Sequence, residues 1–238
     1  MVQYYKIAGL TVKMDSFGRT EEQALPYRCD PAEPDMVIQS DWKSFQQRQP
    51  HLNDEDCEYL CTGGSFYRQL LQFDGMLLHA SAVVVDGRAY LFSAPCGTGK
   101  STHTKLWLQV FGDRAVILND DKPALRHENG VWYAYGTPWS GKHDISSNIR
   151  VPVAGICFLY QAKENTIEPF GGAKAIFSLL EQTARPAGAD LRMQLMTLLD
   201  RLMAQVPVWR MGCNMDPQAA LVSYETMSAG RKDEENEN

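Results

Sequence analysis

The segment from Ala94 to Thr102 constrains the fold of this chain more than any other part of the sequence. It consists of Ala94, Pro95, Cys96, Gly97, Thr98, Gly99, Lys100, Ser101 and Thr102. The order fits a pattern in which Gly or Ala is followed, after four residues, by Gly-Lys and then Ser or Thr. Small residues let consecutive backbone N–H groups surround phosphate oxygens, and a helix that begins there points its positive end at the anion. The pattern therefore predicts a phosphate-binding loop between a strand and a helix.

The residues on both sides of this loop have the patterns that a strand and a helix require. Two apolar runs, residues 81–85 and 88–92, are joined by an Asp-Gly dipeptide, which predicts a β-hairpin whose second strand leads into the loop. Residues 101–111 carry apolar side chains at helical spacing, and Gly112 follows where a C-terminal cap belongs. The context therefore favours nucleotide binding over an ordinary glycine turn.

The loop pattern also predicts which atoms meet the ligand. All nine residues are candidates for nucleotide binding, with Lys100 reaching the β- and γ-phosphates and Ser101 offering its hydroxyl to Mg²⁺. The expected ligands are Mg²⁺ and ATP or another nucleoside triphosphate, because the sequence carries no readable base preference.

Two adjacent acids follow the next predicted strand. Residues 115–119 form a short strand that ends in Asn119, and Asp120 and Asp121 come directly after it. A carboxylate at the end of such a strand can hold the metal of the nucleotide, and a second one can take a proton from an incoming hydroxyl. Both acids are therefore candidate metal ligands and candidate catalytic residues, and the sequence does not distinguish the two roles. The alternative is a polar turn before Pro123.

The segment from His79 through Lys100 to Asp121 resembles the catalytic domain of the HPr serine kinase/phosphorylases, which share a nucleotide site with the phosphoenolpyruvate carboxykinases. In those kinases a histidine opens the strand pair, as His79 does here, and an acid pair binds metal and catalyses transfer. An Asn-Ile-Arg-Val segment around Arg150 is similar to a carboxykinase motif whose arginine contacts the nucleotide phosphates. The resemblance implies that His79 orients one of the two carboxylates and that Arg150 stabilises charge on the phosphates.

The resemblance also implies an α/β fold of the phosphoenolpyruvate carboxykinase/HPr kinase type, with a mixed, partly antiparallel sheet and flanking helices. We expect a small N-terminal lead-in at residues 1–78, a kinase domain at 79–230 and a disordered acidic tail at 231–238. In the lead-in, two strands surround Gly9, a polar stretch extends to about residue 52, and a helix covers residues 57–73. This lead-in could cap the sheet or bind the acceptor.

After Arg150, a near-continuous apolar run at residues 151–160 predicts a central strand. Two amphipathic helices are expected at residues 174–185 and 189–206, then a strand at 207–211 and a short helix from Asp216 onward.

A glycine-rich segment at residues 135–144 contains Trp139, Ser140, Lys142 and His143. It could be a lid or an acceptor-binding loop beside the γ-phosphate, or a connection held by a packed tryptophan. We favour the first interpretation because this segment joins the acidic region to Arg150.

Composition excludes several classes of partner. The chain has 238 residues and a formal net charge of −6, and with no basic stripe it is not expected to bind nucleic acid or anionic membranes. No apolar run long enough to span a membrane and no secretion signal are apparent, so a cytoplasmic protein is expected. Its six scattered cysteines fit reduced thiols better than a zinc site.

Together these patterns predict a kinase that transfers the γ-phosphoryl group of ATP to a hydroxyl, most readily to a serine of a protein or peptide. A free-serine kinase and a nucleotide-binding regulatory protein with slow hydrolysis are the alternatives. A homo-oligomer is possible, and the identity of the acceptor is not readable.

Overall fold

The computed structural model describes residues 2–229 and contains a small sheet near the N-terminus. In this sheet β1 and β2 are antiparallel, whereas β3 lies parallel to β2. Its strands are β1 (Val2–Ile7), β2 (Leu10–Asp15) and β3 (Met36–Ile38). The helices of this part are α1 (Gly18–Ala24), α2 (Trp42–Arg48) and α3 (Asp54–Leu70), with 3-10 turns at Leu25–Tyr27 and Leu71–Phe73.

A large sheet of nine strands forms the centre of the described chain. Its strands are β4 (Gly75–Leu77), β5 (Ala80–Val85), β6 (Arg88–Ser93), β7 (Ala115–Asn119), β8 (Ala124–Glu128), β9 (Val131–Tyr135), β10 (Arg150–Gln161), β11 (Thr166–Pro169) and β12 (Val208–Cys213). The strand order is β4-β8-β9-β10-β6-β5-β7, with β12 also beside β10 and β11 beside β12. Because β10 is parallel to β6 and β12 but antiparallel to β9, the predicted mixed α/β class is confirmed.

Helices cover both faces of the large sheet. They are α4 (Lys100–Phe111), α5 (Gly172–Glu181), α6 (Ala189–Gln205) and α7 (Gln218–Ala229), with 3-10 turns at Gly112–Arg114 and Gly141–His143. Side chains of β6 alternate between the two faces: Leu91 packs in the core under α5 and α6, whereas Phe92 packs in the core under α4 and α7. The predicted hairpin before the loop and the predicted helix after it are both present.

The N-terminal part packs against the large sheet through a third apolar cluster. Tyr5 and Val12 of the small sheet join Phe66 of α3, and Tyr135 and Trp139 enter the same cluster from the end of β9 and the loop after it. This packing brings α1 and α3 beside the loop that connects β9 to β10.

The N-terminal part contains elements that the sequence did not indicate. The polar stretch up to about residue 52 contains α1, β3 and α2, and β4, which precedes residue 79, pairs with β8 in the large sheet. The predicted tail at residues 231–238 lies outside the described residues. Within residues 2–229, no helix is both long and apolar enough to cross a membrane.

Candidate functional site

The candidate phosphate loop joins the end of β6 to the start of α4. Gly99, the last residue before the helix, has φ of +117°, a conformation that side chains with a Cβ rarely adopt. The order of strand, glycine loop and helix, which phosphate binding requires, is therefore present. The loop opens toward the N-terminal end of α4, where backbone N–H groups lack helical partners.

Lys100 is held close to its own loop. Its side chain is 8% exposed, and its Nζ donates a hydrogen bond to the carbonyl oxygen of Ala94 at 2.9 Å. Burial lowers the pKa of Lys100, while the nearby carboxylates of Asp121 and Asp120 act in the opposite direction. The ammonium is thus positioned at the loop, with a neutral carbonyl as its partner.

Asn119 sets the direction of the two acids that follow β7. Its buried side chain accepts hydrogen bonds through Oδ1 from the backbone N–H groups of Asp121 (3.0 Å) and Lys122 (2.6 Å). Its Nδ2 donates to the carbonyl oxygen of Thr137 at 3.1 Å. The asparagine therefore forms a local turn at the acids and ties them to the loop after β9.

Asp120 is 6% exposed and is held by a chain of hydroxyls. Ser81 Oγ donates to Asp120 Oδ1 at 2.6 Å, and the same Oγ lies 2.7 Å from Thr104 Oγ1 on α4. Sequence reasoning missed Ser81. The available signal is its spacing, because alternate residues of an extended segment share a face and Ser81 comes two positions after His79.

Asp121 lies between His79 and Lys122. His79 Nε2 is 3.1 Å from Asp121 Oδ1, and Lys122 Nζ forms an ion pair with Oδ2. Burial raises the pKa of Asp121, but the hydrogen bond from His79 and the charge of Lys122 outweigh it and hold the pKa well below its usual value. His79 Nδ1 lies 2.9 Å from Gln182 Oε1.

These groups surround one cleft of about 240 Å³. The structure brings together the loop, the histidine and the acid pair predicted from sequence. Its lining consists of His79, Cys96, Gly97, Gly99, Lys100, Ser101, Thr102, Asp120, Asp121, Ser140, Lys142 and His143. The last three belong to the loop at residues 136–149 between β9 and β10, here called the wall loop. Its Trp139 is buried and stacks on Phe66 at 4.9 Å between ring centroids, so this loop both packs and lines the cleft.

The structure does not bring Arg150 to this cleft, which corrects the expectation that it contacts the phosphates. Its guanidinium binds Glu128 Oε2 at 3.2 Å and stacks on the ring of Tyr133 at 4.3 Å. The strand pairing places Arg150 opposite Tyr135 of β9, and its side chain extends to Glu128, the last residue of β8. Arg150 does not line the cleft. The position of its side chain is set by the pairing of β9 with β10 and not by the phosphate loop.

A second cavity of about 480 Å³ lies on the other side of the phosphate loop. Its lining includes Gly97, Thr102 and His103. His103 is 2% exposed, and burial lowers its pKa to about 4, so the imidazole is neutral at pH 7. His103 Nε2 lies 3.3 Å from Trp107 Nε1 and 3.1 Å from Ser223 Oγ. Its Nδ1 has no hydrogen-bond partner among residues 2–229.

The oxygen-rich donor set suits Mg²⁺ that arrives with a nucleotide. Ser101 supplies a hydroxyl and Asp120 a carboxylate, which are ligands that Mg²⁺ prefers, and in nucleotide sites it takes few protein ligands beside phosphate and water. In the described part of the chain, no group of three or more His, Cys, Asp or Glu side chains could hold a metal ion by itself. The residues therefore fit a metal shared with phosphate better than a closed protein site.

A comparison with protein-family models found a match to the model described as SynChlorMet cassette protein ScmC. It covers residues 58–217, which is more than half of the chain and includes the candidate phosphate loop and both acids. Comparison with curated proteins found no match.

A comparison with solved structures found a similarity to the Hpr(Ser) kinase/phosphatase from Coxiella burnetii. The sequence identity is 13%, and the alignment covers 67% of this chain and 98% of that chain, with a TM-score of 0.38. This score is too low to establish a shared fold.

Proposed function

The chain belongs to the ScmC family of SynChlorMet cassette proteins, and we propose that it is a Mg²⁺-dependent kinase that transfers the γ-phosphoryl group of ATP, or of another nucleoside triphosphate, to a hydroxyl. The observation that carries this proposal is the shared cleft, in which Lys100 and Ser101 face the same space as Asp120 and the Asp121–His79 pair. A protein that only binds nucleotide needs one metal carboxylate. A second, ion-paired carboxylate in the same cleft favours a reaction with a hydroxyl.

On the donor side, the phosphate loop binds the triphosphate. Lys100 leaves the carbonyl of Ala94 for a phosphate oxygen, because an anionic acceptor makes a stronger hydrogen bond with an ammonium than a neutral carbonyl does. The second cavity receives the nucleoside, and His103 is one of the residues that line it.

Mg²⁺ would be held by Ser101 and Asp120, and it would neutralise charge on the β- and γ-phosphates. The hydroxyl chain from Thr104 through Ser81 keeps Asp120 in one orientation for this role. A carboxylate fixed by an outer hydrogen bond is a typical support of a metal site.

On the acceptor side, Asp121 accepts a hydrogen bond from the incoming hydroxyl and orients its oxygen toward the γ-phosphorus. Its low pKa makes it a weak base, which suits a loose transition state in which positioning and charge stabilisation supply most of the rate. His79 holds the carboxylate in place, and Lys142 and His143 border the same cleft. The resemblance to HPr serine kinases supports serine, in a protein or a peptide, as the first acceptor to test.

The direct test is incubation with Mg²⁺ and γ-phosphate-labelled ATP against free serine, serine peptides and candidate proteins, followed by mass spectrometry. We expect labelled phosphoserine and ADP. Lys100→Met should abolish ATP binding, whereas Lys105→Met, an exposed lysine of the same helix, should not. Hydrolysis of ATP without a labelled acceptor would favour the regulatory alternative, and a wild-type protein that binds no nucleotide would reject both.

A further inference from the structure

We infer that Arg19, in the N-terminal helix α1, is a positioning residue that fixes the wall loop against Asp121 and thereby shapes the acceptor side of the cleft. This role rests on the proposed kinase function. Arg19 lies outside residues 58–217, the part that matches the family model, and outside the segment that carries the phosphate-loop motif. The N-terminal part would then be a component of the active site, in addition to covering the sheet.

The guanidinium of Arg19 binds the middle of the wall loop. Its Nη2 and Nε donate to Asp144 Oδ1 at 2.7 and 3.1 Å, and Nη2 also donates to the carbonyl oxygen of Gly141. Hydrogen bonds between charged partners are about twice as strong as neutral ones. The Arg19 side chain is 23% exposed, so these bonds are also partly shielded from water.

The backbone N–H of Gly141 is bound by a residue of α3. The backbone N–H of Gly141 donates to Tyr59 Oη at 3.0 Å, and the Arg19 guanidinium lies over the Tyr59 ring at 4.2 Å. Asp56 Oδ1 lies 3.4 Å from Arg19 Nη1. Both backbone polar groups of Gly141 are therefore bound by side chains from the N-terminal part of the chain.

The position of Gly141 matters because its backbone passes directly against the proposed catalytic acid. A Cβ on Gly141 would lie 2.6 Å from the Cβ of Asp121. The next two residues, Lys142 and His143, line the cleft. Any displacement of Gly141 thus changes the packing on Asp121. It also moves the side chains of Lys142 and His143 on the acceptor side of the cleft.

The first part of the wall loop is held by different interactions. Trp139 is buried against Phe66, and its Nε1 donates to Thr62 Oγ1 at 3.2 Å. Loss of Arg19 should therefore loosen residues 140–144 while Trp139 stays packed. Asp144 also has φ of +52°, a left-handed conformation that needs support from its contacts. A local effect is expected, without loss of the fold.

The experiment compares Arg19→Gln with Arg114→Gln. Arg114, in the 3-10 turn after α4, forms a similar arginine–aspartate pair at 2.7 Å with Asp86, which lies in the turn between β5 and β6. Hydrogen–deuterium exchange of peptides that contain residues 140–144 is measured first. We expect exchange to rise about tenfold in Arg19→Gln and to stay at the wild-type rate in Arg114→Gln. Arg19→Lys keeps the positive charge but loses the planar set of guanidinium N–H donors. Its exchange rate should therefore lie between those of the other two variants.

The kinetic arm uses the acceptor found with labelled ATP. In Arg19→Gln the KM for the acceptor should rise about tenfold while the KM for ATP stays within about twofold. Equal changes in both constants would indicate a general structural effect and overturn the positioning role, as would unchanged exchange at residues 140–144. If the wild-type protein binds no nucleotide, the proposed function fails, and the exchange result alone still decides whether Arg19 fixes the loop.

Discussion

His79 and Asp121 are in hydrogen-bonding contact on the wall of the cleft, with His79 Nε2 at 3.1 Å from Asp121 Oδ1. The neighbouring acid is held differently, because Asp120 accepts a hydrogen bond from Ser81 and lies deeper in the protein. Two adjacent carboxylates therefore have separate environments, one supported by hydroxyls and one by His79 and Lys122. This difference is the basis for assigning the metal to Asp120 and the acceptor hydroxyl to Asp121.

Removal of the Ser81 hydroxyl should weaken metal binding specifically. In Ser81→Ala, Asp120 loses the donor at 2.6 Å, and the Mg²⁺ concentration for half-maximal transfer should rise about tenfold or more, as when other outer-shell partners of metal ligands are removed. Ser16→Ala is the matched control, since this buried hydroxyl lies 3.3 Å from Tyr5 Oη in the N-terminal part. An unchanged Mg²⁺ dependence in Ser81→Ala would contradict the assignment of Asp120 as the metal ligand.

A methyl group on Gly141 should disturb the cleft beyond its effect on the backbone. Gly141→Ala and Gly130→Ala both put a Cβ at positive φ, +75° and +85°, at a cost of about 1 kcal/mol each. Only at Gly141 would the new Cβ meet another side chain, Asp121. Urea unfolding should show a lower free energy of unfolding in both variants. Transfer should fall by about tenfold or more in Gly141→Ala alone, and equal rates in the two variants would show that the close approach is unimportant.

The buried Glu58 should make stability fall as the pH rises. Its side chain is fully buried on α3, Thr20 donates to Oε2, and Oε1 has no hydrogen-bond partner among the described residues. Burial raises the pKa of Glu58 from 4.5 to about 7. Because the folded pKa exceeds the unfolded one, this contribution to stability is fully present below pH 4.5 and is lost as the pH rises through 7.

The free energy of unfolding, measured with urea at several pH values, tests this assignment. Wild type should lose up to about 3 kcal/mol relative to Glu58→Gln across that window, because glutamine stays neutral. Glu22→Gln, an exposed residue of α1, should keep the wild-type pH dependence. Parallel curves for wild type and Glu58→Gln would contradict the prediction.

Alkylation of Cys96 should block the nucleotide. Cys96 is exposed and lines the cleft, whereas the other five cysteines are buried or partly buried. Iodoacetamide should therefore label Cys96 first, abolish ATP binding, and act more slowly when ATP and Mg²⁺ are present. Cys96→Ser should resist inactivation. Full labelling of Cys96 with undiminished phosphoryl transfer would show that this residue is not part of the nucleotide site.

Much of the central architecture could be predicted because its signals are local. The hairpin of β5 and β6 follows from two apolar runs around Asp-Gly, and α4 follows from helical spacing after the loop. The apolar run that forms β10 is long enough to indicate a buried strand. By contrast, β3 and β11 have three and four residues, and α2 has no buried residue, so neither periodicity nor composition marks them.

The site could be predicted where one sequence motif contains several of its residues. It could not be predicted where a residue distant in sequence determines the position of a side chain. His79, Lys100 and both acids meet as expected, but Arg150 turns away because Glu128 and Tyr133 bind it. Arg19 reaches Asp144 across 125 positions of sequence, and Ser81 reaches Asp120 across 39. Such pairs depend on how the sheet and the N-terminal helices pack, which no local pattern encodes.

The central claim is that the two acids carry out transfer at a nucleotide held by the phosphate loop. The most direct measurement compares ATP binding with phosphoryl transfer in Asp121→Asn and Asp120→Asn, with Asp113→Asn, an exposed aspartate after α4, as the control. We predict that Asp121→Asn keeps its affinity for ATP within about twofold and loses transfer by a factor of about 100 or more. Asp120→Asn should lose transfer together with its Mg²⁺ dependence. Transfer at the wild-type rate in both variants would contradict the account.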